Sequence, residues 1–172
     1  AVDFRRAGER GIPVCNVPDY GVDEVADQAI GMMIACNRGF MKAERNLKAP
    51  LKPWDCRAVE PVKRLAGSTL GIVGLGRIGQ ATAQRARAMR MRVIAHDPYL
   101  RPGTEKVFGV EMVSLEELLS TSDVVSLHTP LTEETERLIN TDTLAQMKPD
   151  SILVNTSRGA VVDTAALAEV LR

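Results

Sequence analysis

The sequence predicts an α/β protein, a doubly wound parallel sheet with helices on both faces. Three observations point there. Short β-branched runs alternate with helical stretches along the whole chain, the runs are apolar on both faces, and one of them opens into a glycine-rich loop.

Taken in order, "AVDFRRAGERG" (1–11) has a helical pattern, and "IPVCNV" (12–17) is expected as a strand. A helix should follow through "VDEVADQAIGMMIACNRGF" (22–40), where Val25, Ala29, Met32, Met33 and Cys36 fall at helical spacing and read as a core stripe. Residues 47–67 carry three prolines and Trp54 without a clear period, which predicts a loop or arm. Five buried strands should then be "TLGIVG" (69–74), "RVIAHD" (92–97), "VEMV" (110–113), "DVVSLH" (123–128) and "SILVN" (151–155). Helices are expected between and after them, notably over 78–90, 115–120, 142–147 and 163–171.

Composition narrows the function. With 172 residues the chain can bury one good core but not two full domains. A formal net charge of +0 leaves no electrostatic footprint for nucleic acid, and 3% aromatic residues leave few stacking platforms. The longest apolar stretch, "AIGMMIAC", is too short to span a bilayer, and no signal peptide opens the chain. Cys15, Cys36 and Cys56 fit neither a zinc spacing nor a CxxC motif, so free thiols, no metal and a cytoplasmic location are the expectation. Both ends read as cuts through helical sequence, as in a piece of a longer protein.

"GIVGLGRIGQ" (71–80) spends four glycines on ten positions. Gly74-Leu75-Gly76-Arg77-Ile78-Gly79 matches GxGxxG between a strand and a helix, the setting that a dinucleotide demands. There Gly74 makes the turn, Gly76 lets the backbone approach a pyrophosphate, and Gly79 lets the helix pack against the strand. Arg77 adds charge at the helix N-terminus, where the dipole already favours an anion. Asp97 follows Gly79 by 18 positions at the end of the next strand. A carboxylate there accepts from ribose hydroxyls and repels a 2′-phosphate, which selects NAD over NADP.

Two more strand ends carry polar residues: His128, Thr129 and Pro130, then Asn155, Thr156, Ser157 and Arg158. The Arg158 guanidinium suits a carboxylate and can polarise a carbonyl. Pairing with a structural acid such as Asp163 is the competing reading, and local sequence leaves both open. His96 sits beside Asp97 at the adenosine end, and His128 reads as a positioning residue.

"TLGIVGLGRIGQATAQRARAMRMRVIAHDPY", "DVVSLHTPLTEETERLIN" and "LVNTSRGAVVDTAALAEVL" together resemble the D-isomer-specific 2-hydroxyacid dehydrogenases. "GIPVCNVPDYGVDEVAD" is especially similar to the C-terminal-binding-protein branch of that family. The resemblance implies a Rossmann-type NAD-binding domain over 1–172, with the substrate domain absent. It implies NAD contacts from Gly74, Gly76, Arg77, Ile78, Gly79, Asp97, His128, Thr129, Pro130, Thr135, Thr156, Ser157 and Val25. It makes Arg158 the catalytic arginine, and it puts the catalytic Glu and general-acid His beyond Arg172. Residues 40–67, with Trp54, fall where the family dimerises, which implies a homodimer. The whole protein would move a hydride between NAD(H) and a D-2-hydroxy or 2-keto acid, and the 172-residue chain alone would not. A corepressor-like scaffold that senses NAD, with little catalytic role, is the alternative.

Overall fold

The computed structural model describes residues 2–48, 55–59 and 62–172. Trp54 and the rest of 49–54, with 60 and 61, lie outside the described residues. Five parallel strands form one sheet in the order β3-β2-β1-β4-β5. They are β1 (Thr69–Val73), β2 (Arg92–His96), β3 (Glu111–Met112), β4 (Val124–Leu127) and β5 (Ile152–Asn155). Thr69 pairs with Arg92 and Val73 with His96, while on the other side Leu70 pairs with Val124 and Val73 with Leu127. The strand order reverses between β1 and β4, so the loop after β1 opens at the switch point. Ligands of such sheets bind there.

Alternate side chains of each strand enter two separate cores. Leu70, Ile72, Val93, Ala95 and Val154 pack under α2 (Val22–Asn37) and α4 (Arg77–Ala88). Val73, Ile94, Val125 and Leu127 pack with Leu118, Leu119 and Leu144 from α6 (Leu115–Thr121) and α7 (Thr141–Gln146). Burial on both faces is what the continuous apolar runs require. Three helices on the second face are started by side chains. Ser114 accepts from the Glu117 amide, Asn140 forms a reciprocal cap with Thr143, and Asp163 accepts from the Ala165 and Ala166 amides of α8 (Thr164–Val170).

Several expectations are corrected. Residues 12–17 form no regular element and pair with no strand among the described residues, and Ile12, Val14 and Val17 are exposed. The helix expected over 22–40 stops at Asn37, because Gly39 takes φ +65, and the chain restarts as α3 (Phe40–Lys48). Helix therefore occupies the start of the expected arm. The described part of 55–68 is loop apart from a 3-10 turn over Cys56–Val59. On α2 the buried residues are Ala26, Ala29 and Met33, with Met32 and Cys36 exposed. Small side chains face inward there because α2 lies close along α4, whose own buried face is Gly79, Thr82, Ala83 and Ala86. Two short helices flank the main set: α1 (Phe4–Glu9), and α5 (Thr104–Phe108) in the segment between β2 and β3. No helix among the described residues is long and apolar enough to cross a membrane.

Candidate functional site

The four glycines of 71–80 do four different things. A Cβ on Gly71 would lie 2.2 Å from Ser122 Oγ and 2.6 Å from Leu118 Cδ2, so α6 can lie on β1 only because the position is bare. Gly74 has φ +92, and a Cβ there would press on the His128 backbone at 3.0 Å. On Gly79 a Cβ would stand 2.2 Å from the Gly74 carbonyl oxygen, which is backbone and cannot step aside. Gly76 is the exception: nothing lies within 4 Å of its Cβ position. It borders an open cleft.

That cleft, about 770 Å³, runs over the carboxyl ends of β1, β2 and β4. Gly74, Gly76, Asp97, His128, Thr129, Pro130 and Thr135 line it. Asp97 stands directly after β2, and its Oδ2 accepts from the Leu75 amide at 2.9 Å. Its Oδ1 accepts from the Tyr99 amide at 3.0 Å. One carboxylate thus ties the glycine loop to the end of the neighbouring strand. The first turn of α4 has no side-chain cap and no acidic residue, so its free amides face outward beside Gly76.

Across the cleft, His128 follows β4, with Nε2 3.0 Å from Ser126 Oγ and Nδ1 3.5 Å from Thr156 Oγ1. Burial pushes its pKa down to about 4, so the imidazole is neutral. Thr129 Oγ1 is buried in the same wall without a hydrogen-bond partner among the described residues. Thr135 closes its own loop, donating to the Pro130 carbonyl at 2.6 Å and accepting from the Thr132 amide at 2.8 Å.

Beyond β5, Asn155 shapes the next turn. Its Oδ1 accepts from the Ser157 amide at 2.9 Å and from Ser157 Oγ at 2.7 Å, and its Nδ2 donates to the Arg158 carbonyl at 2.9 Å. Arg158 is exposed, and Nη1 donates to the Ser157 carbonyl at 2.9 Å. No carboxylate pairs with it among the described residues; Asp163 is engaged as the α8 cap. Other expected residues stay outside the cleft lining. Val25 is on α2, Ile78 and Gly79 lie within α4, Thr156, Ser157 and Arg158 follow β5, and Arg77 turns away to Asp19 at 2.6 Å.

Sequence reasoning missed the Tyr99 hydroxyl donating to Glu134, a contact between the loops after β2 and β4. Both residues line the cleft, and the carboxylate pushes the Tyr99 pKa up. The residue types carry no signal for a pairing 35 positions apart.

The residues present fit a dinucleotide. A bare Gly76, uncapped amides at a helix N-terminus and a strand-end carboxylate share one cleft, with an unpartnered hydroxyl in its wall. Residues 30–172 match the family model described as "D-isomer specific 2-hydroxyacid dehydrogenase, NAD binding domain". The chain belongs to that family. It is 44% identical over 168 residues to the hydroxypyruvate reductase of Thermotoga maritima, covering 98% of this chain and 53% of that protein. A crystal structure of a Thermus thermophilus protein superposes with TM-score 0.90 at 45% identity, over 99% of this chain and 53% of that one. The D-lactate dehydrogenase of Aquifex aeolicus, solved with NAD and lactic acid, superposes with TM-score 0.86 at 34% identity, over 99% of this chain and 50% of that one. The chain spans about half the length of these relatives.

Proposed function

We propose that this NAD-binding domain serves an oxidoreductase that interconverts a D-2-hydroxy acid and its 2-keto acid, with residues 1–172 as its nucleotide half. The carrying observation is Asp97 held against the glycine loop through the Leu75 amide, at the open end of the sheet. In this reading Gly74, Gly76 and Gly79 admit the pyrophosphate to the amides of α4, and Asp97 takes the adenosine ribose. His128, Thr129, Pro130 and Thr135 wall the cleft, Thr156 and Ser157, next to His128 and outside the lining of the empty cleft, take the cofactor's far end, and Arg158 holds the substrate carboxylate. When bound, the cofactor supplies or accepts the hydride; the chain's own residues bind, orient and exclude water. The similar proteins are named as reductases and dehydrogenases, which favours an enzyme over a scaffold. Exposed Cys15 and Cys36, both free, suit a reducing cytoplasm.

Calorimetric titration tests the Asp97 assignment. NADH should bind more tightly than NADPH, because the carboxylate repels a 2′-phosphate. Asp97→Asn keeps an acceptor for the Leu75 amide while removing the charge, and should narrow the gap on the order of tenfold, mainly by strengthening NADPH. Equal affinities for the two cofactors in the unmodified protein would refute the assignment.

The reading includes a homodimer through residues 40–67. Its support is α3, which leaves Phe40, Met41 and Leu47 more than half exposed. Light scattering at micromolar concentration should give about twice 18.7 kDa. A monomer mass would count against the dimer.

A further inference from the structure

Three carboxylates recur every fourth residue at the start of α2 and in the turn before it: Asp19, Asp23 and Asp27. Facing them on α4 are two arginines eight residues apart, Arg77 and Arg85, on one stripe of the helix. Arg85 binds Asp23 at 2.8 Å and Asp27 at 2.6 Å, and Arg77 binds Asp19 at 2.6 Å. The result is a zipper of charges along the contact between α2 and α4.

Its two ends differ. Arg85 lies two turns into the helix, is 27% exposed, and also donates to the Ala81 carbonyl at 3.1 Å. Arg77 is the first residue of α4, next to Gly76, and its pair is exposed on both sides, 63% and 70%. Its guanidinium is drawn away from the cleft that its own loop borders. Asp19 sits at φ +60, a left-handed backbone uncommon outside glycine, at the joint between the exposed segment 12–17 and α2.

We infer that Arg77 is shared between Asp19 and the cofactor, with Asp19 holding it off the cleft until a phosphate at the α4 N-terminus takes it over. The inference rests on the reading that the glycine loop receives the NAD pyrophosphate. The exchange runs toward phosphate because an exposed ion pair is weak and salt-screened. Phosphate instead meets the helix dipole, the free amides and the arginine together. Binding is reciprocal: whatever the Asp19 contact subtracts from cofactor affinity, cofactor binding subtracts from the hold on Asp19. Asp19 is therefore a residue that lowers affinity, and it carries cofactor occupancy to residues 12–21.

The test is NADH titration at low and high salt. Asp19→Asn, a residue that also accepts the left-handed backbone, should bind NADH about two- to fivefold more tightly at low salt, with the gap closing near ~0.5 M salt. Arg77→Gln should weaken binding, and adding Asp19→Asn to it should then change nothing. Asp27→Asn, which alters the zipper far from the loop, should leave NADH affinity as it was. The proposal is overturned if Asp19→Asn binds NADH no more tightly, if its gain survives in the Arg77→Gln background, or if Asp27→Asn gains equally. Failure of the unmodified protein to bind NADH at all would instead remove the cofactor reading, and this inference with it.

Discussion

Acidification from pH 7 to pH 4 is expected to destabilise the fold by as much as about 3 kcal/mol through His128 alone. Its pKa falls from an ordinary 6.5 to about 4 because the ring is buried. The sign follows from which state takes the proton. Above pH 6.5 the imidazole is neutral folded and unfolded, and the full stability is present. Between 6.5 and 4 only the unfolded chain gains a proton, so stability drains away. Below 4 both states are protonated and this group costs nothing further. The ring's partners, the Ser126 and Thr156 hydroxyls, carry no charge that could hold an imidazolium. Asp123 does not confuse the window. Burial raises its pKa, but the Thr69 amide and Lys148 more than offset that, so its contribution fades only below its ordinary 3.8. Urea unfolding across this range should show the loss, and His128→Asn should flatten it between pH 6.5 and 4. An unchanged slope in that variant would assign the loss elsewhere.

What was legible in the sequence was local. β1, the glycine loop and α4 announce themselves within 20 residues, because strand period, bare positions and helix period follow one another without interruption. Asp97 was readable for the same reason, since its distance from the loop is set by the length of one helix and one strand. The failures share another cause. "IPVCNV" has strand composition, but a strand exists only with a partner, and pairing is not written in the segment itself. The spacing predicts a buried face of α2 on Val25, Ala29, Met32, Met33 and Cys36; the packed helix buries Ala29 and Met33 but adds Ala26, where a small side chain lets α4 approach. Phe40–Lys48 was hidden by the prolines that follow it. Tyr99 with Glu134, and Arg77 with Asp19, join residues 35 and 58 positions apart, and no spacing rule reaches that far.

Arg158→Ala in the whole enzyme is expected to lower kcat/KM for a 2-keto acid by roughly 30- to 5,000-fold, with NADH affinity nearly unchanged. The range corresponds to about 2–5 kcal/mol, the cost of truncating one partner of a desolvated, hydrogen-bonded charge pair. Local structure makes the variant clean. The turn that carries Arg158 is fixed by Asn155, through the Ser157 amide and the Arg158 carbonyl, and neither contact uses the guanidinium. The side chain is exposed and pairs with no carboxylate among the described residues, so its removal strands no internal charge. Nη1 is held by the Ser157 carbonyl, and the opposite edge of the fork, Nε and Nη2, is left to grip an external carboxylate with two parallel bonds. Arg158→Lys keeps the charge but not the fork, and should fall between the two. Steady-state kinetics beside NADH titration separate the outcomes. A fall in kcat/KM matched by an equal loss of NADH affinity would mean that Arg158 serves the cofactor, and a change under about threefold would remove it from the substrate altogether.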